Sequence, residues 1–298
     1  MEEEPGESVK TENNTKPKRK RKTKEEKEAE AMPLAARTLG SKVLVGAHVS
    51  SAGGVHNAVM NSVHIGGNAF GNCTGLTEIA IPNGITSIAG NAFDGCIKLT
   101  NFKVAENNAT YSSKDGLLFN RPGTTLVKCP EGKSGVCALP DGITTINSSA
   151  FRRCSGLTGI TMPKGVASIG SHAFSECTGL TSITIADSVT LIGSHAFSAC
   201  TGLSGITIPN GVTAIGTFAF ADCQALRSVT IGEKVASIGN SAFSDCKNLV
   251  SVEVLGKGIP VGTDVFKKSP ATIYYRPGAQ GWAPIWNDRL VKPIGEKP

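Results

Sequence analysis

Phenylalanine recurs at a fixed interval along most of this chain. Phe70 and Phe93 are 23 residues apart. The same interval separates the members of a longer series, Phe151, Phe174, Phe197, Phe220, Phe243 and Phe266. Most copies fit the pattern L-x-x-[IV]-x-[IV]-P-x-x-[VI]-x-x-I-G-x-x-A-F-x-x-C-x-x. Self-similarity at a period of this length is typical of repeat proteins whose units stack into a solenoid.

The spacing within one copy explains why the copies must stack. Ile183 and Ile185 are two residues apart, so they lie on one face of a short strand. In the next copy, Pro-Asn-Gly at 209–211 predicts a turn and Gly216 allows a bend. One copy cannot cover its own apolar face, whereas stacked copies align their Ile, Leu, Phe and Cys side chains in columns. We therefore predict a solenoid of short β-strands and turns over residues 70–270. Its predicted repeat core contains Phe93, Phe151, Phe174, Phe197, Phe220, Phe243, Cys177, Cys200 and Cys223.

The interval is broken once, by an insert at about residues 101–140. Phe93 and Phe151 are 58 residues apart. Apolar runs flank the Asn-Arg-Pro-Gly segment at 120–123, which predicts a β-hairpin. Two cysteines of the insert, Cys129 and Cys137, could pair across this hairpin in an oxidising compartment or remain free thiols.

The repeat unit resembles the BspA-type leucine-rich repeat. The insert string "NNATYSSKDGLLFNRPGTTLVKCPEG" and the string "ATIYYRPGAQGWAPIW" near the end are similar to recurring elements of that family. The resemblance covers residues 68–290, and it makes residues 271–298 a C-terminal closing segment. It implies a repeat solenoid of the leucine-rich-repeat type. Because members are generally surface or secreted proteins of adhesion and interaction, it also implies binding rather than catalysis.

Cysteine and histidine follow the repeat as well. Seven of the nine cysteines stand three residues after the repeat phenylalanine, and no C-x-x-C pair occurs. A position occupied in almost every copy predicts a buried packing thiol rather than a zinc ribbon. His172 and His195 are equivalent residues of successive copies, and they could bind a metal between coils. Phe218 and Ser241 occupy the same position further on, which favours histidines at the rim of the solenoid.

Residues 42–69 do not repeat. The string "KVLVGAHVS" is typical of a buried strand, and Val55, Val59 and Val63 at intervals of four predict a helix. We expect this strand–helix unit to cover the apolar end of the first coil.

The strings "GAHVSSAGG" and "GGNAF" resemble the first βα unit of endonuclease IV-type AP endonucleases, and the resemblance covers residues 16–70. That family consists of zinc-dependent (β/α)8 barrels that cut DNA at abasic sites. Its metal ligands come from later strands, for which this chain has no counterpart. One βα unit cannot assemble such a site. The chain therefore has the sequence of a chimera, and we predict no catalytic residue, no metal ligand and no cofactor.

The charged composition of residues 1–41 predicts a disordered tail. The segment KPKRKRKTK at 16–24 has seven basic residues and no acid. Such a run is typical of nuclear-import signals and of phosphate contacts with nucleic acid. The candidate contact residues are Lys18, Arg19, Lys20, Arg21 and Lys22. No apolar stretch typical of a secretory signal or a membrane span is present. The basic run favours an intracellular, nuclear location, whereas the repeats resemble extracellular proteins, so the compartment stays open.

The sequence thus favours a non-catalytic scaffold that binds a protein partner. Two alternatives remain at this point: a truncated or chimeric AP endonuclease without its zinc ligands, and a scaffold attached to nucleic acid through its tail. The partner's identity and the oligomeric state cannot be read from the residues.

Overall fold

The structure is a computed structural model, and it describes residues 58–59, 64–67 and 69–295. These residues form a β-solenoid of about nine coils and contain no helix. A regular coil contributes one longer strand to one face, the long-strand face, and one two-residue strand to another, the short-strand face. The long-strand face contains β1 (Ala58–Val59), β3 (Glu78–Ile81), β5 (Asn101–Val104), β9 (Gly135–Ala138), β11 (Leu157–Thr161), β13 (Ser182–Ile183), β15 (Gly205–Ile208), β17 (Ser228–Ile231), β19 (Ser251–Val254), β20 (Thr272–Tyr275) and β22 (Arg289–Pro293).

The short-strand face and the insert account for the remaining strands. The short strands are β2 (His64–Ile65), β4 (Ser87–Ile88), β10 (Thr145–Ile146), β12 (Ser168–Ile169), β14 (Leu191–Ile192), β16 (Ala214–Ile215) and β18 (Ser237–Ile238). The insert adds β6 (Tyr111–Lys114), β7 (Leu117–Asn120) and β8 (Thr125–Lys128), and the C-terminal segment adds β21 (Ile285–Trp286).

Neighbouring coils pair in parallel, in a register that repeats the sequence period. Ile206 pairs with Val229, Val229 with Val252, and Val252 with Ile273. These side chains are buried, while their neighbours along each strand alternate outward. The repeat spacing agrees with the strand register, and a shift by one residue would turn the apolar side chains outward.

The insert completes a coil of its own. Strand β6 pairs antiparallel with β7, and β7 with β8, after which β8 and β9 pair in parallel with β10 and β11. The backbone N–H of Cys129 donates to the oxygen of Ala150 at 2.6 Å, as that of Phe151 donates to Ala173 at 2.7 Å. Cys129 thus occupies the place that phenylalanine holds in the regular coils.

The hairpin also divides the apolar core. Leu118 of β7 belongs to the core cluster that contains Phe70 and Phe93. Leu117 and Phe119, on either side of it in the strand, belong to the cluster that runs to the C-terminal coils. Because successive side chains of a strand point to opposite faces, one strand contributes to both clusters.

The expected helix within residues 42–69 is wrong where the structure describes this segment. Val59 lies in β1, which pairs in parallel with Ile79 and Ala80 of β3, and Ile65 of β2 pairs with Ile88. These strands are themselves part of the first coil, which therefore begins before residue 70. An interval of four between apolar residues fits a helix only weakly, and parallel pairing with the next coil gives these residues strand partners instead. The rest of the predicted strand–helix unit lies outside the described residues, as does the predicted tail at 1–41.

The last coil is followed by a hairpin of β21 and β22. Strand β22 continues the long-strand face beyond β20, and β21 pairs antiparallel with β22. The Trp286 indole donates to the oxygen of Ile259 at 3.0 Å, and its ring lies 6.0 Å from Phe266. These contacts cover the final phenylalanine. Over the described part of the chain, no helix has the length and apolar character needed to span a membrane.

Candidate interaction surface

The repeat phenylalanines form a stacked column inside the solenoid. From Phe151 to Phe266, neighbouring ring centroids are 4.9 to 5.6 Å apart and their planes differ by at most 10°. Phe93 stacks on Phe70 at 5.4 Å, and on its other side it meets Phe102 edge-on at 5.1 Å, because the insert interrupts the column. These rings are fully buried. They hold the coils together and have no access to a ligand.

The repeat cysteines form a second interior column, the thiol ladder. The Cys177, Cys200 and Cys223 thiols donate to the oxygens of Phe151, Phe174 and Phe197, one coil earlier, at 3.0 to 3.2 Å. Burial raises the pKa of the Cys200 thiol to about 12. Its thiol therefore stays protonated at neutral pH and is not a nucleophile. All nine cysteines are free thiols, and no group of three or more potential ligands in the described residues is arranged to hold a metal ion.

Each coil from Phe151 to Phe266 turns through two residues in the left-handed region, placed two before and two after the phenylalanine. Around Phe197 these are His195, with a φ of 57°, and Ala199, with a φ of 58°. The His195 N–H donates to the oxygen of Thr217 in the next coil at 2.9 Å, and the Ala199 N–H to that of Ala221 at 2.8 Å. The hydrogen bonds between coils thus offset the cost of this backbone conformation.

The first of these positions carries an aromatic ridge formed by His172, His195 and Phe218. The two imidazoles lie 4.5 Å apart and the next pair of rings 5.0 Å, with interplanar angles of 12° and 26°. The rings are partly exposed, in agreement with rim histidines. Burial lowers the pKa of both imidazoles, and for His172 the charges of His195 and Arg152 lower it further. Parallel rings direct their nitrogen lone pairs side by side rather than toward one point, which is poor geometry for a shared metal ion.

Charged side chains cluster where the insert meets the regular coils, and we call this cluster the joint. Lys128 is 3% exposed and donates to the oxygens of Gly90 and Ser149, each at 3.1 Å. Asp94 lies 3.5 Å from the Lys128 ammonium and 2.6 Å from the Arg152 guanidinium. A buried ammonium needs this full set of partners to offset its lost hydration. The joint consists of Asp94, Lys128, Glu131, Arg152 and Glu176.

Glu131 fixes the loop between β8 and β9 to the preceding coil. Both of its carboxylate oxygens accept from the Gly95 N–H, at 3.1 and 3.0 Å. Burial raises the pKa of this carboxyl, and the Gly95 hydrogen bond and the Lys128 charge oppose the rise. Next to it, the Gly132 N–H donates to the oxygen of Leu99 at 2.8 Å. A Cβ at Gly132 would lie 2.7 Å from that oxygen, so no other residue fits. Sequence reasoning missed the joint, because its members lie far apart in the chain and match no motif.

The long-strand face presents an open groove of about 580 Å³ around β13, β15 and β17. The sheet is interrupted here, since β13 ends one set of paired strands and β15 begins the next. The exposed lining side chains are small and polar, and beneath them lie buried isoleucines such as Ile183 and Ile206. The lining includes Ser182, Thr184, Thr207, Ser228 and Thr230. The alternation of Thr with Ile could have indicated an exposed face from the sequence, but not the break in pairing.

The basic residues predicted to contact nucleic acid, Lys18, Arg19, Lys20, Arg21 and Lys22, lie outside the described residues.

The family model described as BspA type leucine-rich repeat region matches six copies, over residues 58–118 and 137–272. The chain belongs to this family. Its BspA-type repeats thus begin at β1 and run through the last regular coil. No curated protein matches the chain. These matches give no support to the resemblance of residues 16–70 to AP endonucleases.

Several solved structures have a similar fold. The pneumococcal vaccine antigen PcpA is 20% identical with a TM-score of 0.63, over 79% of this chain and 66% of that one. A leucine-rich cell surface protein from Faecalibacterium prausnitzii is 33% identical with a TM-score of 0.60, over 65% of this chain and 52% of that one. A leucine-rich repeat protein from Eubacterium ventriosum is 22% identical with a TM-score of 0.63, over 78% and 68%. The chain thus spans about half to two thirds of the first two of these structures.

Proposed function

We propose that this protein is a non-catalytic scaffold that binds a protein partner on its long-strand face. The observation that carries the proposal is the groove over β13, β15 and β17. It combines small exposed hydroxyl side chains with strands that each pair with at least one neighbouring coil. Such a surface can accept a partner with little ordering of its own side chains, which limits the entropic cost of association.

The comparisons support the same class of function. The relative that is 33% identical is described as a cell surface protein, and a more distant one as a vaccine antigen. Proteins of those descriptions are exposed to other molecules. The ladder thiol of Cys200 stays protonated at neutral pH and is not a nucleophile. We infer a binding role for this chain and no turnover of substrate.

A pair of threonine variants tests the proposal. Thr207 is exposed in the groove. Thr213 is exposed immediately before β16, on the short-strand face. Thr207→Arg places a long cation in the groove, whereas Thr213→Arg makes the same change on another face. Purified wild-type chain is immobilised, proteins retained from an extract of the source cells are identified by mass spectrometry, and both variants are compared. Loss of the same partner from Thr207→Arg alone is expected. Equal retention by both variants would place the interface elsewhere.

The two alternatives rest on residues outside the described part of the chain, and each has its own test. A scaffold attached to nucleic acid through Lys18–Lys22 would bind duplex DNA with an affinity that falls steeply with salt and is lost when residues 1–41 are deleted. A zinc-dependent AP endonuclease would incise an abasic-site duplex in a reaction that a chelator abolishes and zinc restores. We expect no incision.

A further inference from the structure

Cys129, Cys137 and Cys154 lie together where the insert meets the regular coils. The hydrogen bonds of Cys129 and Cys154 differ from those of the other thiols of the ladder. The ladder thiols donate to a phenylalanine oxygen at 3.0 to 3.2 Å. At the joint, the nearest oxygen acceptors are farther away: 3.6 Å for the Cys129 thiol and 3.7 Å for that of Cys154. These distances are near the limit for a thiol donor. The joint thiols are therefore less strongly committed to backbone acceptors.

The Cys129 thiol lies next to the thiols of both Cys137 and Cys154. Cys129 follows β8 and Cys137 lies in β9, so the contact closes the loop of residues 130–136 at its base. Both side chains are buried in the same core cluster. The hydrogen bond from Cys129 lowers the pKa of the Cys137 thiol, whereas burial raises that of Cys129. Of the two, Cys137 is therefore the one that more readily forms a thiolate.

We propose that Cys129 and Cys137 form a reversible disulfide that locks the loop of residues 130–136 across the joint, with a small disulfide such as glutathione disulfide as the oxidant. This loop carries Glu131 and Gly132, which hold the preceding coil through Gly95 and Leu99. A covalent closure at the base of the loop would keep these contacts from separating.

The reaction proceeds by two thiol–disulfide exchanges. The Cys137 thiolate attacks one sulfur of glutathione disulfide, and the first glutathione leaves as its thiolate and takes up a proton. The Cys129 thiol then gives up its proton, attacks the Cys137 sulfur and releases the second glutathione. The protein loses two electrons and two protons, and glutathione disulfide becomes two molecules of reduced glutathione. Because Cys137 is 2% exposed, the first attack requires opening of the loop.

The chain sequence makes this disulfide directly observable. Trypsin cleaves after Lys128, Lys133, Arg152, Arg153 and Lys164, so Cys129, Cys137 and Cys154 fall into three separate peptides. The full-length protein is equilibrated with graded ratios of reduced and oxidised glutathione and quenched with acid. Free thiols are alkylated in denaturant, and the digest is analysed by mass spectrometry without reductant. The expected product is a link between peptides 129–133 and 134–152, which reduction removes.

Two variants provide the controls. Cys137→Ser should abolish the link. Cys154→Ser should retain it, because serine is accepted at this repeat position: Ser269 donates to the oxygen of Phe243 at 2.6 Å. Amide exchange of residues 130–136 should slow in the oxidised protein. The proposal fails if all three cysteines remain alkylated at the most oxidising ratio, if the main link involves peptide 154–164, or if oxidation leaves the exchange of the loop unchanged.

Discussion

The Cys200 thiol donates a hydrogen bond to the backbone oxygen of Phe174, one coil earlier, at 3.1 Å. The same bond recurs along the thiol ladder, and in the last coil the Ser269 hydroxyl makes it to the oxygen of Phe243 at 2.6 Å. A hydroxyl can thus replace the thiol. The property that this position requires is a small side chain with a donor, rather than sulfur chemistry.

Substitutions at Cys200 test this requirement. Cys200→Ser should lower the free energy of unfolding by less than about 1 kcal/mol, since the donor remains. Cys200→Ala removes the donor and leaves a small void, so it should cost about 1–3 kcal/mol. Urea unfolding followed by circular dichroism compares the two. An alanine variant as stable as the serine variant would show that volume alone matters.

The stacked phenylalanine column predicts that the stability lost on removing a ring depends strongly on how deeply the ring is buried. Phe197 has no exposed surface, and Phe218, which also stacks on a ring of a neighbouring coil, is 37% exposed. Phe197→Ala should cost about 3–5 kcal/mol, because it leaves a cavity between two coils. Phe218→Ala should cost much less, since its ring already contacts water. Thermal or urea denaturation of both variants measures the difference. Similar losses would mean that the interior column does not hold the coils together.

The left-handed backbone at Ala199 predicts a stabilising substitution. Ala199 has a φ of 58°, which costs an ordinary residue about 1–2 kcal/mol and glycine almost nothing. Ala199→Gly should therefore raise the free energy of unfolding by about 0.5–1 kcal/mol, after the greater flexibility of glycine in the unfolded chain is subtracted. The buried Ala196 of the same coil is the control, and Ala196→Gly should destabilise by about 1 kcal/mol. If Ala199→Gly destabilises too, the backbone there is not under strain.

The sequence predicted the solenoid because Phe197 and its equivalents recur at one interval, and packing columns follow directly from such an interval. It did not predict the strand at Val59, because apolar residues at intervals of four do not identify a helix when a parallel partner strand is available. The joint was also beyond prediction. Lys128 and Asp94 are 34 residues apart, and their ion pair depends on how the insert folds back onto the coils. The groove depends in the same way on a break in pairing between β13 and β15.

The stability of the protein should be sensitive to the loss of one buried charge at the joint. Asp94→Asn keeps the side-chain shape but removes the negative charge that lies 3.5 Å from the buried Lys128 ammonium, so it should cost about 3 kcal/mol. Glu176 also pairs with Arg152, at 3.0 Å, but its side chain is 37% exposed. Glu176→Gln should therefore cost less than about 1 kcal/mol. Equilibrium unfolding of both variants in urea checks the prediction, and equal costs would show that the joint is solvated.

The aromatic ridge predicts how stability changes with pH. Burial lowers the pKa of His172 and His195 below that of an unfolded histidine, and the charges of His195 and Arg152 lower that of His172 further, while Glu176 opposes the shift. Both imidazoles are therefore neutral in the folded protein at pH 7, and below about pH 6.5 the unfolded chain binds more protons. This contribution to stability is complete above the unfolded pKa and is lost as the pH falls toward the folded values.

The urea midpoint of the wild-type protein should consequently fall between pH 7 and pH 5. The matched control is the double variant His172→Ser/His195→Ser, because Ser241 occupies the same left-handed position in another coil, with a φ of 53°. The double variant should lose less of its midpoint over this range than the wild type. Carboxylates elsewhere in the chain titrate in both proteins, so the difference between the two curves isolates the histidines. Parallel curves would show that the stacked imidazoles titrate as they do in the unfolded chain.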